Sequence, residues 1–412
     1  MLRNTSLFAA LIGIGVSALP ADNATAYFNG LQSSLINNGL SGLWNAIVVA
    51  NHTDSGPGLI NKLYSDDRFT IYAPLNSAWD NSGLSQPPAN GDLVSLLSYH
   101  IVKATLNSST DIAPIRHHTI AFTELRSPTV DLPGDQTQVI VLETAVNSTT
   151  GDNANNGDVL VRGDSWNATS LGDQFVYENL FIQPIDKPSP LLKTLAQSGL
   201  AISANLGATS ALSTISSTGL NETLSQDCYG CTFFIPVNSA FAAASASTNY
   251  SSLLQDDQRN ILLNHVLNGS TVYSPDMSSG NAYITSAGMP LVYLTNEGKS
   301  FISVGKFRAS ILRSDIPVSN GVVHLIDTLM VVPQNNHQKA DDAASSASSE
   351  AHARTTTTNV VGIGGITAPA TRTSSAATST PTQSQSFAKK SNGINAIWKM
   401  AMVTFVLGEL WI

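Results

Sequence analysis

Charge is scarce in this sequence. Asp, Glu, Lys and Arg together make up 12% of 412 residues, and the formal net charge is -9. An acidic chain so poor in Lys and Arg has no electrostatic footprint for a phosphate backbone, which excludes nucleic acid as a partner. Cysteine is scarcer still, with only Cys228 and Cys231 present. A disulfide framework is therefore excluded, and each domain must stand on its own core. Catalytic signatures are missing too: there is no G-x-S-x-G elbow, no H-E-x-x-H and no Walker A sequence. His117 and His118 are adjacent instead of spaced for one helical metal face, so no enzyme, metal or cofactor is expected.

What is present begins at the two ends. Arg3, the apolar run Leu7 to Val16 and the small residues Val16-Ser17-Ala18 read as a signal peptide over 1–18, with cleavage after Ala21 the competing site. Secretion gives meaning to the Asn-x-Ser/Thr sequons at Asn23, Asn51, Asn107, Asn147, Asn167, Asn221, Asn249 and Asn268. In an oxidising compartment Cys228 and Cys231 would pair across the Tyr229-Gly230 turn. A thioredoxin-like redox motif is the other reading of C-Y-G-C, but no βαβ pattern surrounds it. At the other end, small Ser391-Asn392-Gly393 precede a spacer and the short apolar stretch Met400 to Gly408. That order fits a glycolipid-anchor signal over 393–412 with attachment near Asn392. Lys399 and Glu409 interrupt the apolar stretch, which speaks against a transmembrane helix.

Residues 334–390 are rich in Ala, Ser and Thr, and they read as a disordered, O-glycosylated stalk. Before the stalk lies an internal repeat. FTIYAPLNSAW (Phe69 to Trp79) recurs as CTFFIPVNSAF (Cys231 to Phe241), with Pro74 and Pro236 in register (236 − 74 = 162). LLSYHIV around His100 recurs as LLNHVL around His265, and each half is expected to close on an apolar strand ending in Pro, Leu180 to Pro184 and Leu329 to Pro333. Phe69, Ile71 and Ala73 alternate with Thr70 and Tyr72 as a core strand does, and Asn76 is placed to cap the helix behind Pro74. Leu31, Leu35, Leu43, Ile47 and Ala50 recur at helical spacings, while strand-like runs follow later in each half, such as Val139 to Leu142 and Val322 to Ile326. Helices early and strands late predict an α+β domain, twice over.

These residues resemble the fasciclin domain family. TFFIPVNSAF (Thr232 to Phe241), His265 and SDIPVSNGVVHLIDTLMVVP (Ser314 to Pro333) are similar to its strand-and-turn, central and closing boxes. TIYAPLNSAW and Tyr99-His100 match in the first half, whose closing segment Gly172 to Pro184 lacks the Gly-Val-Val-His core. The resemblance covers residues 22–333 and implies two β-sandwich-like wedges with flanking helices, at 22–185 and 188–333. It further implies a non-catalytic, lipid-anchored adhesion or matrix glycoprotein of the fungal type. Such a protein would bind cell-surface or matrix components, protein or glycan, at the plasma membrane or cell wall, with a vacuolar lumenal role as the alternative. Tyr99 and His100, with Asn264 and His265 at the matching place, correspond to the family's proposed adhesion box. A buried structural histidine is the competing reading of His100. Packing is the simpler account of His324. Arg162-Gly163-Asp164 spells an integrin-read tripeptide, which a turn after the strand explains equally. A pocket for a small apolar ligand such as a sterol, between sandwich and helices, is the second functional reading.

Overall fold

A computed structural model describes residues 24–81, 91–113, 117–145, 158–163, 166–190, 192–194, 207–354 and 362–364. The expected signal peptide, Asn23, Asn147, Asp164, Asn392 and the anchor segment lie outside the described residues.

The first half opens with helices α1 (Ala24–Asn37), α2 (Ser41–Asn51) and α3 (Gly56–Leu63). Gly39 ends α1 in the left-handed region (φ 71), which lets Leu40 N reach back to Leu35 O at 2.9 Å and turns the chain into α2. Strand β1 (Phe69–Pro74), helices α4 (Asn76–Asn81) and α5 (Gly91–His100) and the short strand β2 (Ile101–Val102) follow. Then come β3 (His118–Phe122), β4 (Val139–Thr144), β5 (Val159–Arg162), β6 (Asn167–Thr169), β7 (Phe175–Tyr177) and β8 (Leu180–Ile185).

The second half repeats the plan. Helices α6 (Thr209–Ser217) and α7 (Asn221–Gln226) precede β9 (Cys231–Pro236), α8 (Asn238–Thr248), α9 (Gln255–Leu263) and β10 (Val266–Leu267). Its sheet continues with β11 (Ala282–Ile284), β12 (Pro290–Asn296), β13 (Lys299–Val304), β14 (Phe307–Val318) and β15 (Gly321–Ile326).

In both halves the repeat strand is central. β1 runs parallel to β8 and antiparallel to β2, in a sheet ordered β2-β1-β8-β7. β9 runs parallel to β15 and antiparallel to β10 in the same way. The expected alternation has a different origin from a core face and a solvent face, because all six residues of β1 are buried. Phe69, Ile71 and Ala73 point into the helical core with Leu43, Ile47 and Leu97, while Tyr72 points into the sandwich core with Ile140, Leu142 and Val161. Phe233 and Phe234 divide between two cores in the second half likewise. Each strand therefore separates a helical layer from a sheet layer, the α+β wedge that the sequence predicts.

Three expectations are corrected. Leu329 to Pro333 is not a strand; the closing strand of the second half is β15, whose partner in the first half is β8, since Cys231↔Gly321 and Phe69↔Leu180 are equivalent registers. Asn76 does not cap its own helix. Its Oδ1 accepts Gly42 N at 2.8 Å, in the first turn of α2, and Asn238 Oδ1 accepts Ser210 N at 2.8 Å, in the first turn of α6. The repeated Asn thus ties two helices together by satisfying an orphan donor of the neighbour. Finally, the stretch expected to be a disordered stalk opens with helix α10 (His337–Arg354). Asn336 Oδ1 accepts Lys339 N at 3.1 Å as an N-cap, and the alanine-rich run behind it has the highest helix propensity available. The helix touches both domains: it packs on the Pro133–Asp135 turn of the first and against the second at Gly269, where an added Cβ would stand 2.9 Å from Ala344 O.

Candidate functional site

The residues of the candidate adhesion box are inside the protein. Tyr99, His100, Asn264 and His265 are 1, 2, 0 and 2% exposed. His100 ends α5 and His265 follows α9, and the two rings make the same pair of bonds. His100 Nδ1 donates to Leu96 O at 2.8 Å, and Nε2 accepts Ser189 N at 2.9 Å. His265 Nδ1 donates to Ile261 O at 2.7 Å, and Nε2 accepts Met330 N at 3.1 Å. Each imidazole therefore bolts the end of a helix to the segment after the closing strand, and it does so only as the neutral Nδ1–H tautomer. Burial lowers both to about 4, against the opposing pull of the helix carbonyls. Asn264 adds to the second bolt, with Nδ2 donating to Val332 O at 2.8 Å and Gln334 O at 3.0 Å, and Oδ1 accepting from Thr285 at 2.7 Å. Tyr99 packs with Leu125, Val130, Leu132 and Leu192. All four side chains are enclosed by the domain that carries them.

The other residues that the sequence singled out are tied down as well. Arg162 Nε donates to Glu143 at 2.9 Å, and Gly163 is pressed against Trp166 while its carbonyl accepts Arg313 Nη2 at 2.8 Å. His324 is fully buried, stacked on Phe234, with Nε2 donating to Val272 O at 3.0 Å and Nδ1 accepting Asp315 N at 3.3 Å. Burial lowers its pKa. Cys228 and Cys231 are joined as a disulfide. Of the sequons that are described, Asn51, Asn107, Asn167, Asn221 and Asn249 are exposed and Asn268 is half-buried. Among the described residues no group of three His, Cys, Asp or Glu is placed to hold a metal ion.

Sequence reasoning missed the seam between the two wedges. His118 Nε2 donates to Asp315 Oδ2 at 2.6 Å, and Ser274 N donates to Asp315 Oδ1 at 2.7 Å. Asp315 sits at φ 60 in the irregular middle of β14. Burial alone would raise its pKa, but the His118 hydrogen bond, the His324 and His118 charges and Ser274 bring it down to about 2. Gln138, with no exposed surface, donates to Val318 O at 2.7 Å and Gly321 O at 3.1 Å, and accepts from Tyr273 at 2.5 Å. Around it Ile120, Val139 and Val141 of the first half pack on Tyr273 and Val322 of the second. The disulfide turn closes the far end, with Gly230 N donating to Asp131 O at 2.9 Å and Gly230 lying against Pro133. No short motif marks such a seam, because His118 and Asp315 are 197 residues apart.

An apolar cleft of about 270 Å³, counted to its open mouth, lies between α2, α3, α5 and β1. Leu43, Ile47, Leu59, Leu63, Ile71 and His100 are among its walls. Most of that space is open mouth: the room inside is about that of one water molecule, far below the roughly 300–1,000 Å³ of small-molecule pockets.

The Fasciclin domain profile matches residues 49–161 and 207–333, more than half of the chain, and the protein belongs to this family as a tandem pair. Protein sll1483 of Synechocystis sp. is 35% identical over 105 residues, which is 25% of this chain and 55% of that protein. A solved structure of a FAS1 domain pair from the insect cell adhesion molecule Fasciclin I is similar at 18% identity and a TM-score of 0.34, over 71% of this chain and 97% of that one. Fasciclin domains are typically extracellular or cell-surface modules related to adhesion, and the family is generally non-catalytic.

Proposed function

We propose that this protein is a non-catalytic adhesion or matrix-organising glycoprotein of the cell surface or cell wall. The observation that carries the reading is the seam: a pair of fasciclin domains joined by buried bonds presents both outer surfaces as one rigid body, suited to weak contacts made many at a time. The box residues Tyr99, His100, Asn264 and His265 serve it by holding the helices on the sheets, and the contacts to surface or matrix partners lie on the exterior. Glycans on the sequon asparagines cover part of that exterior, and a glycolipid attached near Asn392 holds the stalk at the membrane. The paired sulfurs Cys228 and Cys231 fit an oxidising exterior. Deleting the gene and measuring adhesion, with a tagged copy located in the same cells, tests the reading. Loss of adhesion with the tag at the surface supports it; a tag confined to the vacuolar lumen with unchanged adhesion overturns it.

The apolar cleft favours a second reading, in which the first domain holds a small apolar group. As folded it has room for little more than a water molecule, so an apolar ligand would enter only where α2, α3 and α5 part. Retention of radiolabelled fatty acid by the purified protein, abolished by Ile71→Phe, is the test.

A further inference from the structure

The stalk contains one apolar island. Between 334 and 390 the branched aliphatic residues are Val360, Val361, Ile363 and Ile366, and Ser, Thr, Ala and Pro dominate the rest. At the centre of that island the backbone forms a short strand, β16 (Gly362–Gly364), antiparallel to β3 of the first domain. Gly362 pairs with Ile120, Ile363 with Thr119 and Gly364 with His118. The sheet is ordered β16-β3-β4-β5-β6, so β3 would be its edge without the tail. That edge runs along the seam, where His118 meets Asp315 and Phe122 stands edge-on to Tyr273 at 6.3 Å.

An unpaired strand edge is a template for any segment that offers the right backbone. The chain itself supplies one such segment, because its own residues 362–364 already fit in a defined register. The fit is weak in kinetic terms: the strand is three residues long, and two of them are glycine, which stiffens nothing and packs nothing. The connector 355–361 from the end of α10 is seven residues, with a reach of about 25 Å when extended. A second copy can present the same segment to the same edge and form the same bonds, so only the cost of closing the loop distinguishes the two pairings. Copies concentrated on one surface, or on two surfaces in contact, offset that difference by effective concentration.

We propose that the β3 edge is a homotypic docking site whose occupant is the Gly362–Gly364 strand of a second copy of this chain, exchanged reciprocally for its own. The proposal rests on the adhesive reading above and supplies a partner for it.

The test is sedimentation of the mature protein over a wide range of concentration, wild type against Ile363→Pro/Gly364→Pro. Two consecutive prolines remove a ladder donor whichever of the two residues faces β3. The thermal transition of the domain pair should stay in place. Deletion of 360–366 is the second variant and should behave the same way. The expected result is concentration-dependent dimers of the wild type and self-association weaker by about tenfold or more in both variants. Wild type that stays monomeric throughout, or variants that dimerise as well as the wild type, would overturn the proposal. Cell adhesion read on the same variants separates the two claims. Wild type that self-associates but supports no adhesion counts against the adhesive reading, whereas adhesion that persists in variants unable to self-associate counts against strand exchange as its basis.

Discussion

Acidification should loosen each domain through its bolt histidine. In the fold His100 and His265 are lowered to about 4, whereas an unfolded histidine titrates near 6.5. Between these values the unfolded chain binds a proton that the folded domain refuses, because Nδ1–H is already donating and the Nε2 lone pair is taken by Ser189 N or Met330 N. Stability is therefore fully present above 6.5 and is lost as pH falls toward 4. At 1.36 kcal/mol per pH unit the loss is about 3 kcal/mol for each domain by pH 4, a large share of an ordinary domain's stability. Asp315 acts in a different window. Its contribution is present above its ordinary 3.8 and is lost only as pH falls through about 2, so it adds little to the slope between 6.5 and 4. Urea unfolding at several pH values between 7.5 and 4.5 measures the slope, with His100→Gln and His265→Gln as references that cannot titrate. The variants should be less stable than wild type at neutral pH and should show a shallower dependence. A wild-type slope equal to that of the double variant would refute the reasoning, since the protons would then be taken up elsewhere.

At the seam, Gln138→Ala should strand Val318 O, Gly321 O and the Tyr273 hydroxyl and cost about 3 kcal/mol. Calorimetry of the pair should show the two domains uncoupling into separate transitions. In the cleft, Phe233 occupies the position in the second domain that Ile71 holds in the first. Ile71→Phe should therefore fill the cleft with an overpacking cost of about 1–3 kcal/mol, whereas Ile71→Ala should leave a void and cost about 2–5 kcal/mol in the same urea titration.

Elements with a local cause were legible in the sequence. The two P-x-N-S-A turns gave away the repeat because a strand, its proline stop and the helix behind it are set by neighbouring residues. The helices through Leu31, Leu35, Leu43 and Ile47 bury those same residues. Misreadings arose where tertiary contacts reassign a group. Asn76 has the composition of a helix cap and is one, but for α2, whose first turn reaches it only in the folded domain. Leu329 to Pro333 is apolar because it covers the core and is bolted by His265, not because it pairs as a strand. The disordered reading of the stalk took its Ala, Ser and Thr together as low complexity, whereas the Asn336 cap lets the alanines after it run on as a helix. The Tyr99-His100 box is the instructive case for function. A histidine amid branched aliphatics can bind or can hold, and what no spacing reveals is its pair of bonds, one to its own helix and one to a segment 89 residues away.

The central claim is that adhesion resides in the exterior of the paired domains. Its most direct measurement is adhesion per surface-displayed molecule in cells lacking the gene and re-expressing wild type, His100→Gln or Gln138→Ala at matched surface levels. Wild type should restore adhesion. His100→Gln should keep its per-molecule value while lowering the amount displayed, because the bolt affects folding and not contact. Gln138→Ala, which frees the two domains from each other, should lower the value per molecule. Full per-molecule adhesion with the seam broken, or adhesion lost with His100→Gln at equal display, would contradict the account.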